Sequence, residues 1–210
     1  RPQPDVVVDH YSVKNGIARI RITMQKKHHD LISPLVGIYN SYNIAAAFAL
    51  SKQLEVSDEV SRDTIQSATA AFGRQEVISK QGVDYQLFLI KNPTGFNQVI
   101  TSSFRTKPAQ DESTLIIIND NFADGRDISW LWDVAIEDMK LGKRVIVSGL
   151  RAYDMGLRLK YAGFDCQVVA SVPHALHQAS RSVNRVKILP TYTALLEVRQ
   201  LLGRSLGEIA

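Results

Sequence analysis

Residues 114–133 read TLIIINDNFADGRDISWLWD, and the first half of that stretch decides the fold. Leu115 to Ile118 form an unbroken apolar run of branched side chains, too short for a helix and without polar alternation, cut off at Asn119 and Asp120. A strand that is apolar on both sides must be buried on both faces, as in a parallel sheet covered by helices. The same signal recurs in YQLFLI (85–90), RVIVSG (144–149), CQVVA (166–170) and VKIL (186–189). Between most of these runs lie stretches of helical character: GFNQVITSSF (95–104), RAYDMGLRLKYAG (151–163) and YTALLEVRQLLG (192–203). The sequence therefore predicts an α/β fold, a Rossmann-like and mostly parallel sheet with flanking helices, over residues 83–210.

In an open sheet of this kind, ligands bind beyond the carboxyl ends of the strands. The segments that follow the apolar runs are KNPTGFNQ, NDNFADGRD, LRAYD and PTYT, so one rim gathers Asn92, Thr94, Asn97, Asp120, Asp124, Asp127 and Arg151. Any one of these loops alone is as readily an ordinary connection; four on one rim favour a site. The acidic loop fails the calcium-loop template. Counting from Asp120, Asp124 and Gly125 fall at positions five and six, but Phe122 and Leu131 occupy positions that need oxygen ligands. No residues are assigned to a metal. The chain has neither a G-x-x-x-x-G-K-[ST] nor a G-x-G-x-x-G motif, which disfavours a dinucleotide oxidoreductase and leaves only the helix start at NPTGFNQ as a weak anion site.

Upstream the rhythm differs. Residues 5–13 and 17–24 alternate around Asn15-Gly16, the preferred pair for a β-hairpin turn. QKKHHD (25–30) reads as a polar loop, since side chains of adjacent histidines diverge. NSYNIAAAFALSKQL (40–54) predicts a helix capped near Asn40, and VSDEVSRDTIQSATAAFG (56–73) a second one from near Ser57 to Gly73.

The 210 residues carry a formal charge of +4, with no dense Lys/Arg block interleaved with aromatics, so the basicity does not argue for nucleic acid. One cysteine, Cys166, excludes an intrachain disulfide and an all-cysteine zinc site, and its apolar surroundings suggest a buried structural thiol. No apolar run is long enough for a transmembrane segment, and a reducing cytoplasm fits best.

Several segments together resemble the Mur peptide ligases. GIYNSYNIAAAFAL (37–50) is similar to the motif that closes their ATP-binding central domain, and AFGRQE (71–76) to the G-R-x-E segment at the hinge to their C-terminal domain. KNPTGFNQV, NDNFADGRDISWLWD, SGLRAYDMGLRLKYAGF and LPTYTALLEVR resemble one branch more closely: MurT, the synthetase subunit of lipid II isoglutaminyl synthase, which works with the glutaminase GatD. The resemblance runs from about residue 34 to the C-terminus. It implies that residues 1–72 end an ATP-binding central domain, 73–82 form the hinge and 83–210 the C-terminal domain.

It also implies a reaction. With ATP and Mg2+, the α-carboxyl of D-Glu in lipid II becomes an acyl phosphate, which ammonia released by GatD converts to D-isoglutamine. Such an enzyme acts in the cytoplasm at the inner face of the bacterial membrane. By the motif match, Arg74 would contact ATP phosphate or ribose, and Asn40 and Asn43 would lie near the nucleotide; Tyr39 replaces a common His. Where amino-acid-adding ligases have D-S-K-[AG]-T-N, Asn92 and Thr94 replace Asp and Lys and Asn97 is retained, consistent with ammonia as a nucleophile that has no carboxylate to grip. Asp127, and next Asp124, would orient ammonia or deprotonate ammonium; the alternative for Asp127 is a helix cap. The family's P-loop, magnesium region and zinc-ribbon cysteines are not in this chain, so a C-terminal portion, inactive alone, is expected. The competing reading is a non-catalytic docking module for a glutaminase or nucleotide.

Overall fold

The computed structural model describes residues 4–69, 73–142 and 144–203. The chain divides into two compact units, Arg1–Ala70 and Ala71–Ala210.

In the first unit, β1 (Val6–Lys14), β2 (Ile17–Met24) and β3 (Lys27–Ser33) form an antiparallel sheet in that order, followed by α1 (Ile38–Gln53) and α2 (Asp58–Gln66). Asn15 and Gly16 both have positive φ (53° and 74°), as the tight hairpin turn requires. The hairpin is one strand short of the real sheet: QKKHHD is not a loop. Gln25 and Lys26 make a second tight turn at φ 51° and 64°, and Lys27 already pairs with Met24. Neither residue favours positive φ, so the turn carried no sequence signal. Ala18, Ile20, Ile22 and Met24 alternate inward and pack with Leu31 on Ile44, Ala45, Phe48 and Ile65 of the two helices. Helix α1 starts at Ile38 behind Gly37. Asn40 is therefore inside the first turn, its amide donating to the Val36 carbonyl at 2.8 Å, and does not cap the helix. Helix α2 is capped by Ser57, whose hydroxyl accepts the Val60 amide, and it ends at Gln66. The expected continuation towards Gly73 crosses residues 70–72, which lie outside the described residues.

The second unit runs β4 (Arg74–Lys80), β5 (Val83–Phe88), α3 (Pro93–Ser103), β6 (Glu112–Ile117), β7 (Val145–Ser148), α4 (Ala152–Tyr161), β8 (Gln167–Val168), α5 (Val172–Ser180), β9 (Arg185–Pro190) and α6 (Tyr192–Leu201). Its sheet has the order β4-β5-β9-β6-β7-β8. Only β4 is antiparallel; the other pairings are parallel, with Ile116 in register with Leu189 and Val147. Every residue of β6 is buried: the apolar run from Leu115 demands it, and of the polar residues before it Glu112 pairs with Lys187 while the Ser113 hydroxyl donates to the Ala179 carbonyl. Leu115 and Ile117 pack with α5 and α6, whereas Ile116 and Ile118 pack with α3 and α4. Helix α5 is the element that the helical stretches named above omit. Its buried Val172, Ala175, Leu176 and Ala179 have clear helical spacing, but a Val-Pro start and short length hid it beside stronger neighbours.

This topology places a crevice. The connection leaving β6 turns to the face covered by Leu131, Val134 and Ile136. The chain leaving β9 turns to the opposite face through Ala194, Leu195 and Val198. Between the carboxyl ends of β6 and β9 the chain therefore parts to both sides, the position where open sheets bind ligands.

Candidate functional site

The crevice between β6 and β9 is organised by Asp124. Its side chain is buried, at 7% exposure. The Thr193 amide donates to Oδ1 at 2.8 Å, the Thr193 hydroxyl to Oδ2 at 2.6 Å and the Asn121 amide to Oδ2 at 3.2 Å. Thr193 stands in the first turn of α6, whose N-cap residue Thr191 makes no side-chain cap bond. The carboxylate of Asp124 thus caps α6 from another loop, an anion set at the positive end of a helix. Asn119 and Asn121 complete the network by donating from Nδ2 to the Thr193 hydroxyl at 3.0 and 2.9 Å. The Asn119 amide also donates to the Thr191 hydroxyl at 3.0 Å, and its Oδ1 accepts from the Leu150 amide at 3.0 Å. One hydrogen-bonded cluster therefore joins the ends of β6, β7 and β9.

Around this fixed centre lie groups with freer faces. Asp120 is 3.9 Å from Arg151, which itself pairs with Asp154 at 3.1 Å. Asp127 is exposed, and its Oδ1 accepts at 2.8 Å the amide of Ser129, the first residue of the 3-10 turn Ser129–Asp133. The amide and hydroxyl of Ser129 hold the Asp127 carboxyl below its ordinary value. The two carboxylates singled out from the sequence thus differ in kind: Asp124 has three internal donors, whereas Asp127 is ionised and faces solvent.

The segment after Asp127 is clamped by a residue the sequence reading missed. Buried Arg158 of α4 donates to the carbonyls of Leu131 (3.1 Å) and Val134 (2.7 Å) and makes a forked pair with Glu137 at 2.8 and 3.0 Å. That guanidinium lowers the pKa of Glu137. A charged residue beside Met155 and Leu159, on the apolar face of a helix, was the available signal. Asn97 joins the same brace, its Oδ1 accepting the Ala135 amide at 2.9 Å. Asn92 caps α3 by accepting the Gly95 amide at 2.8 Å, and Thr94 is exposed on the first turn of that helix.

The remaining expected residues lie elsewhere. Arg74 is exposed at the start of β4, beside a bulge between Arg74 and Glu76 where Gln75 takes φ 63°. Within the same segment Glu76 is buried, accepts the Gly73 amide at 3.1 Å and forms an ion pair with buried Arg199 of α6. Asn40 and Asn43 belong to α1 of the first unit, and Asn43 is exposed. Cys166 is half-buried, and burial together with Asp165 pushes its thiol up, away from nucleophilic reactivity. Among the described residues, no three His, Cys, Asp or Glu side chains converge to hold a metal ion.

Residues 89–195, which include the loops of this rim, match the family described as MurT ligase C-terminal. The chain belongs to that family. It is 33% identical over 175 residues to the MurT subunit of lipid II isoglutaminyl synthase (glutamine-hydrolyzing) of Streptococcus pneumoniae, which covers 80% of this chain and 38% of that relative. The corresponding Staphylococcus aureus subunit is 30% identical over 180 residues, 81% of this chain and 40% of the relative. The chain thus spans about two fifths of the length of the curated relatives it matches. Among solved structures, the UDP-N-acetylmuramate-alanine ligase MurC of Thermotoga maritima superposes with a TM-score of 0.73 at 13% identity, covering 94% of this chain and 45% of that one. MurF of Acinetobacter baumannii gives 0.68 at 17%, covering 94% and 44%. These likenesses establish a Mur-ligase fold for this MurT-family chain.

Proposed function

We propose that the chain is the C-terminal portion of an ATP-dependent ligase subunit that amidates the D-Glu α-carboxyl of lipid II to D-isoglutamine, with ammonia from a GatD-type glutaminase. The observation that carries this reading is the division of labour on the rim. A buried, fully bonded Asp124 fixes the loop, and an exposed, ionised Asp127 is left to face a small cation. Ammonia is mostly ammonium at neutral pH, so a carboxylate both attracts it and offers a proton acceptor beside an electrophile. Asp124 is then a positioning residue and Asp127 the catalytic one.

In the whole enzyme, ATP with Mg2+ would supply the activation of the carboxyl. Of the residues present, the Arg74 guanidinium fits a phosphate: it is exposed and has no carboxylate partner among the described residues. Asn40 and Asn43 are the candidates for the nucleotide in the first unit, and Asn92, Thr94 and Asn97 shape the nucleophile's side of the rim. Nothing in the described residues is assigned to the Mg2+ ion.

A partner subunit has a surface to meet. Tyr153, Leu157 and Tyr161 recur at helical spacing on α4 and are 78%, 50% and 73% exposed, with Leu150 before them and Trp132 packed edge-on against Tyr161 at 5.6 Å. Exposed apolar stripes of this kind mark protein contacts, and this one adjoins Arg151 and Asp120 on the rim. Among the described residues no helix is long and apolar enough to cross a membrane.

The test uses the whole synthetase with its glutaminase, ATP and lipid II. Asp127→Asn should lower amidation at least tenfold with either glutamine or ammonium chloride as donor, because the defect lies on the ammonia-accepting side. Full activity of this variant with ammonium chloride would remove Asp127 from the mechanism. Failure of the wild-type complex to amidate lipid II would remove the reaction itself.

A further inference from the structure

At the opposite edge of the sheet, at the amino ends of β7 and β8, lies a polar hollow of about 370 Å3 lined by Arg144, Ile146, Gln167, Gln178, Arg181 and Ser182. We infer that it is a binding site for a phosphate-type oxyanion. Its lining holds two arginines and two glutamines but no carboxylate. Among the described residues, five other arginines of this unit pair with acids, Arg105 with Asp138, Arg151 with Asp154, Arg158 with Glu137, Arg185 with Glu112 and Arg199 with Glu76, whereas exposed Arg74 and Arg126 do not. Arg144 and Arg181 have no such partner among the described residues.

The two are also held together. An Nη1 of Arg144 donates to the backbone carbonyl of Arg181, at the residue that ends α5. The negative end of α5 accounts for the Arg144 guanidinium, and leaves the Arg181 side chain in the same lining without an acidic counter-charge. Guanidinium forks match the oxygens of phosphate in pairs, and amide side chains such as Gln167 and Gln178 supply further donors of fixed direction. The two-residue strand β8 stands at the edge of the sheet, so the hollow opens to solvent on that side. This site shares no residue with the rim described above and does not depend on the amidation reading.

The chemistry suits either a free phosphate compound or a phosphodiester headgroup, and two probes separate the sources. Inorganic pyrophosphate titrated into the chain should give saturable NMR shifts at the Gln167 and Gln178 side-chain amides. Vesicles of phosphatidylglycerol, but not of phosphatidylcholine, should bind the chain if the natural source is a lipid. Saturation by either probe, weakened about tenfold by Arg144→Gln with Arg181→Gln, supports the site; which probe binds identifies the source. Arg181→Gln alone keeps the Arg144 contact to the backbone and serves if the double variant does not fold. Lys14→Gln with Arg19→Gln removes equal charge from the other unit. Equal weakening by that control, or no saturable binding of either probe, would overturn the inference.

Discussion

Thr193 donates both its backbone amide and its hydroxyl to the two oxygens of one carboxylate, that of Asp124, across 69 residues of sequence. The loop after β6 and the start of α6 are thereby locked as one piece, and Thr193 carries the two asparagine amides as well.

Removing either partner breaks the network. Thr193→Val takes the acceptor from the side-chain amides of buried Asn119 and exposed Asn121 and one of two donors from Asp124 Oδ2, and Asp124→Asn sets an NH2 against existing donors. Each should cost about 1–3 kcal/mol of unfolding free energy in urea titrations. The double variant should cost clearly less than the sum, because both changes break one contact. Strict additivity would show that the pair is not a unit.

Asp127 behaves differently because its carboxylate is exposed and held by Ser129 alone. Its folded pKa is lowered, so its contribution to stability is complete above the unfolded value and is lost as pH falls through the folded one. A carbon-detected carboxyl titration should place its midpoint below that of an ordinary aspartate. Ser129→Ala should raise the midpoint only part of the way, since the amide donor stays. An unchanged midpoint in that variant would mean that the hydroxyl plays no part.

The buried pair of Glu76 and Arg199 ties the strand after Gly73 to α6. Glu76→Gln removes the ion pair between Glu76 and the buried Arg199 guanidinium and should cost about 3–5 kcal/mol. Glu76→Leu with Arg199→Met should recover most of that loss, since the desolvation of both charges disappears together. Thermal or urea unfolding of the three proteins decides it; a double variant no better than Glu76→Gln would mean that the charges themselves are needed.

The sheet was legible because β6, β7 and β9 are apolar on both faces, and the rim followed from the strand ends without strand order. What escaped was non-local. Asp124 and Asp127 look alike in NDNFADGRD, and only the arrival of α6, 69 residues later, makes one an architectural cap and leaves the other exposed. Arg158 and Arg199 show their roles only once Glu137 and Glu76 are brought to them. The third strand of the small sheet was lost for a local reason, a tight turn built from Gln25 and Lys26 with no glycine or asparagine to announce it.

If the exposed stripe on α4 receives a glutaminase, charge placed in it should separate the subunits without unfolding the chain. Leu157→Glu and Tyr161→Glu alter side chains already 50% and 73% exposed, so the melting temperature should hardly move. Co-purification with the glutaminase should fall, and glutamine-dependent amidation with it, while ammonium chloride still supports the reaction in the whole synthetase. Normal co-purification of both variants would place the partner on another face.

The rim also depends on a close backbone approach at Gly149. Its φ is +91°, and a Cβ there would lie 2.6 Å from the Ile118 carbonyl and 2.7 Å from Asn119 Oδ1. Gly163 is a matched control, with φ +83° and nothing within 4 Å of an added Cβ. Both Gly→Ala changes carry the cost of a left-handed alanine, about 1 kcal/mol or somewhat more. Only Gly149→Ala must also push Asn119 away from the Leu150 amide that it accepts. Gly149→Ala should therefore be the more destabilising of the two by at least about 1 kcal/mol, and it should speed hydrogen exchange at the Leu150 amide, which Gly163→Ala leaves alone. Equal effects of the two substitutions would show that the backbone conformation, and not the packing of Gly149 against Asn119, sets the requirement for glycine at the end of β7.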